Sequence, residues 1–291
     1  MDGFWNANQP DSFELQRLGS SGTDFISQSD LSRSSNYTFY LDGRLNWART
    51  FSNHNISAMF MYMMREERGA VLPHRNQGYS ARITYDYMQK YLVEFNAGYT
   101  GTERLKDHRF EFFPAISLGW VASSEDFWKP LQNVVSFLKV RGSYGLVGSD
   151  ETGADAGAPH FLYINEVNIG KGGGFSTGDL NEIVYNGPAF GNYAVEDAHW
   201  ERVKKLDIGF DMELFRQVNI TFDYFHDKRD RILMRRGSWP AMMGYWNGVP
   251  WSNIGKVTNK GFDLSVNWNT KFSKDFIAEL RFNMTYNKNR Y

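Results

Sequence analysis

The feature that most constrains the fold of this sequence is the recurrence of large apolar residues at every second position over ten separate segments. At the start of the first such segment, Tyr37, Phe39 and Leu41 fall on one face, and Thr38 and Asp42 fall on the other. Successive side chains of a β-strand point to opposite faces, so a period of two predicts strands with one apolar and one polar face. The segments cover 37–47, 56–62, 79–87, 91–99, 116–120, 138–144, 206–212, 218–224, 262–268 and 276–286.

The connections between these segments alternate between short and long along the chain. The long ones are predicted at Glu66–Gln77, Gly101–Arg109, Gly148–Glu196 and Arg235–Lys256. Transmembrane β-barrels have short turns on the periplasmic side and longer loops on the outer side. The alternation therefore favours an antiparallel transmembrane β-barrel, with the four long connections outside the cell.

Strand length and aromatic placement point to the same class. Ten steps of about 3.3 Å, tilted by about 45°, project to roughly 23 Å, which matches an apolar band of about 25 Å. Aromatic residues gather at both strand ends, as in the two interfacial girdles of a barrel. Those beside the short turns are Trp47, Tyr87, Tyr91, Trp120, Trp268 and Phe276, and those at the opposite ends are Tyr37, Tyr79, Tyr99, Tyr144 and Tyr286. The alternative is a soluble β-sandwich, in which these rings form the core.

Composition excludes several other classes. With 42% hydrophobic and 16% aromatic residues the chain suits a folded protein, yet no apolar run is long enough for a membrane-spanning helix. A net charge of −1 gives no electrostatic basis for binding nucleic acid. The chain has no cysteine, so disulfides and thiolate metal sites are impossible within it. No signal peptide is visible at the start, so the chain is expected to be either not exported or a fragment.

One stretch, Phe112–Gly148, combines two alternating segments with a predicted short helix between them. Ser123 is in a position to cap that helix, and Pro130 limits its extent. The helix, expected at Ser124–Val134, is interpreted as a periplasmic connector.

The motifs of this stretch, FFPAISLGW, SSEDFW and LKVRGSYGLVG, resemble the strand–helix–strand hallmark of SusC-like (SusC/RagA type) TonB-linked outer-membrane transporters. Further similarity lies in YSARITYDYMQKYLVEFNAGY, HWERVKKLDIGFDMELF, ITFDYFHDKRDRIL and VTNKGFDLSVNW, in the order of that family. The resemblance covers roughly residue 36 to the end.

The resemblance implies a location in the outer membrane and nutrient uptake, with TonB-dependent import of glycans or peptides. It also implies a SusD-like surface lipoprotein as partner and a twenty-two-stranded barrel around an N-terminal plug. The chain is then expected to contain an extracellular loop at 1–35 and about ten strands of a larger barrel at 36–291. The plug, the TonB-contacting parts and the closing strands are expected to lie outside it.

Motifs for chemistry are sparse, so neither enzymatic activity nor a bound cofactor is expected. The glycines of Gly170–Gly174 lack the following Ser or Thr of a phosphate-binding loop and favour a flexible loop. Six histidines, at 54, 74, 108, 160, 199 and 226, show no paired helical spacing, which gives no support for a catalytic zinc site. The acidic cluster Asp150, Glu151 and Asp155 lacks EF-hand spacing and favours solvated loop charge over a calcium site.

The candidate ligand-binding residues are aromatic and lie in the last long loop. Trp239, Tyr245, Trp246 and Trp251 offer rigid rings that stack on sugars or grip a peptide, and the alternative is that they pack the loop against its neighbours. Two other functions stay open for the chain. One is a barrel that acts as a receptor or adhesin without transport, and the other is a secreted soluble β-protein that binds carbohydrate.

Overall fold

The structure, a computed structural model, describes residues 2–5, 13–16, 35–69, 72–151, 160–178, 183–237, 240, 242, 250–273 and 276–291. The chain divides into two units, Met1–Asn36 and Tyr37–Tyr291. The first unit contains β1 (Asp2–Trp5) and β2 (Phe13–Gln16), which pair antiparallel. The sequence predicted only an irregular loop here, because a four-residue strand is too short for alternation to stand out from a polar background.

The second unit contains the remaining strands of the described residues. Ten of them form one antiparallel sheet in the order β14-β13-β12-β11-β8-β7-β6-β5-β4-β3, and β9 and β10 form a separate hairpin. Their bounds are β3 Tyr37–Phe51, β4 His54–Arg68, β5 His74–Tyr87, β6 Tyr91–Thr102, β7 Phe110–Val121, β8 Val135–Ser149, β9 Val167–Thr177, β10 Ile183–Phe190, β11 Glu201–Leu214, β12 Val218–Arg235, β13 Trp251–Lys271 and β14 Ile277–Arg290. The ten-stranded sheet confirms the predicted fold class and strand number.

Residue pairing confirms the predicted faces of the sheet. Across five adjacent strands, Leu45 pairs with Phe60, Phe60 with Ala81, Ala81 with Ala97, and Ala97 with Pro114. The same apolar face continues through Phe210, Phe222 and Leu264 to Met284. The opposite face, here called the polar face, carries the residues in between, among them Asp211, Thr221, Ser265 and Asn283, which pair in sequence across β11 to β14.

The apolar face is uncovered within this chain. Leu45 is 72% exposed, Leu118 is 55% exposed and Leu280 is 60% exposed. So large a continuous apolar surface requires an apolar medium or a partner against it, because soluble monomers rarely expose more than a few hundred Å² of it. Among the described residues, no helix is both long and apolar enough to cross a membrane.

Several strands extend beyond their predicted ends on the side of the long connections, here called the long-loop end; the opposite side is called the short-turn end. The loop predicted at Glu66–Gln77 spans only residues 69–73, because β4 ends at Arg68 and β5 begins at His74. Charged residues occupy both faces in this extension, so alternation of hydrophobicity disappears while backbone pairing continues. Glu66 pairs with Arg75, and the Arg75 Nε donates to the Glu66 carboxylate at 2.9 Å.

The long connection predicted at Gly148–Glu196 is not a loop throughout. Its middle forms the hairpin β9–β10, so the expectation of a flexible loop at Gly170–Gly174 was wrong. Glycine is needed there for close approach, because a Cβ on Gly174 would stand 1.8 Å from the carbonyl oxygen of Tyr185. Because four of these five residues are glycines, the segment lacks the alternation of apolar side chains that predicts a strand.

The prediction of a single helix between β7 and β8 was also wrong, because the helical turns there are of another type. The segment forms two 3₁₀ turns, Ala122–Ser124 and Asp126–Leu131, without a side-chain cap from Ser123. Glu125 separates them in an extended conformation, with φ −84° and ψ 151°. Its carboxylate accepts a hydrogen bond from Lys90 Nζ at 3.1 Å on the neighbouring β5–β6 turn, and Pro130 has no amide hydrogen to continue a helix.

A cluster of deeply buried apolar side chains lies at the long-loop end rather than in the middle of the sheet. Leu105, Leu162, Ala198 and Trp200 form this loop core, with Phe113 and Leu233 packed against it. Trp200 Nε1 donates to the carbonyl oxygen of Arg109 at 3.1 Å, and the Trp200 ring meets the Phe113 ring edge to face at 5.5 Å. The loop core thereby fixes the β6–β7 loop and the β8–β11 connection to the end of the sheet.

Candidate functional site

The middle of the polar face holds a charge cluster centred on one arginine. Arg141 of β8 reaches Asp223 of β12 at 2.7 Å and Asp211 of β11 at 3.3 Å, and Asp207 of β11 lies 3.7 Å away. Gly209 of β11 lies beneath this cluster, and a Cβ there would stand 2.0 Å from Asp223 Oδ1. Because three carboxylates surround one guanidinium, the cluster keeps a surplus of negative charge on this face.

A shallow cavity lies beside this cluster towards the short-turn end. Its volume is about 410 Å³, and its lining includes Asp86, Glu94, Lys139 and Arg141. Asp86 lies on β5, Glu94 on β6, and Lys139 and Arg141 on β8. All four lie on the polar face of the paired strands, so the alternation of side chains along each strand is enough to bring them to the same side. Such a wall suits contact with water or with a polar solute passing along it.

A larger cavity, of about 520 Å³, lies at the long-loop end. Tyr40 and Met63 of the polar face form one side, and the ends of β4, β5 and β6 with their loops form the rest. Its charged lining residues are Arg65, Glu67, Arg75, Glu103, Arg104 and Asp150. This cavity, here called the rim cavity, is a candidate binding site in the part of the chain that the structure describes.

The charges around the rim cavity are paired with one another. Arg65 donates to Glu67 at 3.0 Å, and Arg104 Nη1 donates to the backbone oxygen of Asp150 at 3.1 Å. The contact with Arg104 is consistent with the expectation that Asp150 carries ordinary loop charge, and Asp155 lies outside the described residues. Paired guanidiniums keep unused N–H groups, so the lining can donate hydrogen bonds to hydroxyl, carbonyl or carboxylate groups of a ligand.

Four of the six histidines meet in two clusters at this end. His74, Glu103 and His160 form one at the rim cavity, and His108, Asp197 and His199 form the other. Burial lowers the pKa of His160, and it also lowers the pKa of His199, so both rings favour their neutral form. A search for helical spacing between histidines does not reveal these clusters. These histidines lie far apart in the chain, His74 at the start of β5 and the other three in connecting segments, and no local motif marks them.

Of the four aromatic residues predicted to bind ligand, the structure describes Trp251. Trp251 begins β13 and is only 6% exposed, with the Arg235 guanidinium 5.2 Å from its ring centroid. This burial favours the packing alternative for Trp251. Trp239, Tyr245 and Trp246 lie outside the described residues, so their role stays a prediction.

Comparison with known proteins places these features in a family. The whole of residues 2–291 matches the family described as TonB dependent receptor-like, beta-barrel. TonB-dependent receptor P39 of Formosa agariphila is 33% identical over 215 residues, which cover 72% of this chain and 18% of that protein. TonB-dependent receptor SusC of Bacteroides thetaiotaomicron is 29% identical over 230 residues, covering 78% of this chain and 22% of SusC. The chain thus spans about a fifth of the length of these relatives.

Solved structures agree on the fold. The RagAB peptide importer in its 'closed-closed' state superposes with a TM-score of 0.70 at 15% identity, covering 87% of this chain and 30% of the other. The siderophore receptor PirA from Pseudomonas aeruginosa gives a TM-score of 0.57 at 12% identity, covering 88% and 43%. The match is to a receptor barrel rather than to an enzyme. The chain therefore belongs to the TonB-dependent receptor β-barrel family of the outer membrane, in agreement with its resemblance to the SusC/RagA type.

Proposed function

We propose that the receptor containing this chain imports oligosaccharides or peptides across the outer membrane in a TonB-dependent manner. The observation that carries the proposal is the two-faced sheet, whose apolar side is uncovered and whose opposite side carries charge clusters such as Arg141 with Asp223. In a membrane, only the polar side of such a wall can contact a hydrophilic solute.

The proposal also assigns the two ends of the sheet. The long-loop end faces outwards, because long loops lie outside in barrels of this kind, and the short-turn end faces the periplasm. Residues 1–35 are then an extracellular loop, and residues 36–291 are a partial barrel wall. The rim cavity opens at the outer end and is suited to first contact with substrate, since its arginines and acids offer donors and acceptors to hydroxyl and peptide groups.

Uptake by cells is the direct test of this function. Cells with and without the receptor gene are supplied with labelled oligosaccharide and labelled peptide pools, before and after collapse of the proton-motive force. We expect receptor-dependent accumulation of one class, which the uncoupler abolishes. Surface binding without accumulation would instead identify a receptor or adhesin that does not transport.

The aromatic loop around Trp246 is a proposed contact for this substrate. Trp246→Ala should weaken capture by about 1–3 kcal/mol if the ring stacks on the ligand. The matched variant Trp251→Ala removes a buried ring and should lower stability before it affects binding. Equal capture by the Trp246 variant and the parent would assign the loop aromatics to packing.

A SusD-like lipoprotein is the proposed partner at the outer end. Purification of the tagged receptor from outer membranes in mild detergent should bring down such a lipoprotein in a stoichiometric amount. A receptor that purifies alone under conditions preserving its uptake activity would contradict this part of the proposal.

A further inference from the structure

Three side chains from three separate segments converge at the wall of the rim cavity. His74 is the first residue of β5, Glu103 lies in the β6–β7 loop, and His160 lies in the connection between β8 and β9. His160 Nε2 stands 2.8 Å from Glu103 Oε1 and 2.5 Å from His74 Nδ1. Glu103 Oε1 and His74 Nδ1 are 3.6 Å apart. Each residue thus offers one ligand atom to a common point.

Hydrogen bonds alone do not satisfy the three polar atoms of this arrangement. A single proton on His160 Nε2 can be donated with good geometry to the carboxylate or to the other imidazole but not to both, so the second close contact is left without a hydrogen bond from this nitrogen. A divalent cation at the common point would accept all three lone pairs at once. We infer that His74, Glu103 and His160 form a binding site for a divalent transition metal of the zinc class.

The ligand set selects the class of metal. Two imidazole nitrogens and one carboxylate oxygen suit Zn²⁺ and its neighbours, whereas Ca²⁺ and Mg²⁺ prefer oxygen ligands throughout. With metal–ligand bonds of about 2.0–2.2 Å, a tetrahedral ion separates its ligand atoms by roughly 3.3 Å. The three observed separations, from 2.5 to 3.6 Å, bracket that value, so small side-chain movements are sufficient.

The surroundings favour a defined site over a chance encounter of exposed groups. The exposed fractions of the side chains are 37% for His74, 17% for Glu103 and 24% for His160. The ring of Phe161 lies 6.1 Å from the His74 ring and 4.7 Å from the His160 ring, which restricts the orientation of both. All three ligands line the rim cavity, so a fourth coordination position would open into it. In the second cluster, by contrast, Asp197 is 88% exposed.

Bound metal would join the β8–β9 connection to β5 and to the β6–β7 loop at one point. This connection leads into the loop core through Leu162, only two residues after His160. The metal would therefore stabilise the folded arrangement of the long-loop end beside the rim cavity. The inference rests on these contacts alone and holds whether or not the receptor imports its ligand.

Zn²⁺ titration of the receptor in detergent, after treatment with a chelator, tests the inference. A His108→Ala background dismantles the second cluster, so that binding reports on the first. In that background we expect one tight site, and His74→Gln, Glu103→Gln and His160→Gln should each weaken it about tenfold or more. His54→Gln, at the short-turn end of β4, is the matched control and should leave binding unchanged.

A second measurement separates metal binding from damage to the fold. Zn²⁺ should slow limited proteolysis within residues 150–166 in the His108→Ala parent but not in the His160→Gln variant, with both proteins showing the same heat-modifiable mobility. If the parent binds no Zn²⁺, or if all three ligand variants bind it as the parent does, the inference is overturned. A loss of binding in the His54→Gln control would overturn it as well, because the site would then lie elsewhere.

Discussion

At the scale of single residues, the two faces of the sheet predict opposite responses to the same substitution. Leu280 lies on the apolar face of β14 and is 60% exposed, whereas Asn283 lies on the polar face opposite Ser265. Leu280→Arg places a charge against lipid and should be destabilising, with a cost that approaches roughly 2–4 kcal/mol at the bilayer midplane and falls towards its edges. Asn283→Arg should cost little in a water-accessible lumen. Folding yield and heat-modifiable mobility in detergent measure the difference.

A larger apolar residue at the same position separates lipid from protein. Leu280→Trp should be tolerated by lipid, which has no fixed shape, but would cost about 1–3 kcal/mol by overpacking a close-fitting core. If Trp were as damaging as Arg, the face would be in contact with protein.

The Arg141 cluster predicts an asymmetry between two arginines of the polar face. Arg141→Met leaves Asp207, Asp211 and Asp223 without their shared cation, so we expect a loss of about 1–3 kcal/mol, given that the arginine is 34% exposed. Arg82→Met removes an exposed hydrogen bond to Asn96 at 2.9 Å and a 3.6 Å contact with Glu94. The arginine is 53% exposed, so the loss should cost less than about 1 kcal/mol. Urea midpoints in lipid vesicles would show this difference, and equal midpoints would contradict it.

At the scale of elements, the segment between β7 and β8 predicts a dependence of stability on pH. Hydrogen bonds from Tyr91 and Lys90 lower the pKa of Glu125 below its usual value, with Trp120 also facing the carboxylate. Because the folded-state pKa is lowered, the contribution of Glu125 is present above its ordinary pKa of 4.5 and is lost as the pH falls through the folded value.

The corresponding experiment compares two acidic residues of the same segment. Glu125→Gln should lower the urea midpoint at pH 6, and its difference from the parent should shrink towards pH 3. Asp126→Asn is the control, because its side chain is 90% exposed and its ion pair is made with Lys129 in the same turn. A pH-independent difference for Glu125→Gln would mean that its role is steric.

Strands could be predicted from the sequence where large apolar residues alternate with polar ones. Strands such as β6, with Tyr91, Val93 and Phe95 on one face, are evident because lipid requires apolar residues at every second position. Their extensions at the long-loop end, such as Arg65–Arg68 of β4, have water on both faces and lose that signal. The segment Ala122–Leu131 was assigned the wrong helix type because the Glu125–Lys90 contact that separates its turns is tertiary.

At the scale of the whole molecule, the candidate sites depend on contacts that sequence patterns cannot report. The Arg141 cluster follows from register across β8, β11 and β12, which alternation permits but does not specify. The His74–His160 contact joins residues 86 positions apart. By contrast, the aromatic loop was identified from its composition alone. Of its four candidate residues, the structure describes Trp251, which is buried.

The strand order also predicts how the isolated segment behaves. β3 and β14 lie at the two ends of the sheet, and nearly all of their side chains are exposed. Open edges and an uncovered apolar face favour association, so residues 1–291 alone should not form a stable monomer in water. Sedimentation and thermal melting without detergent test this, and a monodisperse preparation with a cooperative melt would contradict the membrane assignment.

The central claim is that one face of this sheet contacts lipid and the other contacts water. Spin labels test it most directly, because residues 1–291 contain no cysteine and each substitution introduces the only thiol of this segment. In the receptor in lipid vesicles, labels at Val93 and Phe95 of β6 should collide mainly with oxygen, which partitions into lipid. Labels at Glu94 and Asn96 should collide mainly with a water-soluble nickel chelate. Access of the chelate to all four positions, or shielding of Val93 and Phe95 from both reagents, would contradict the account.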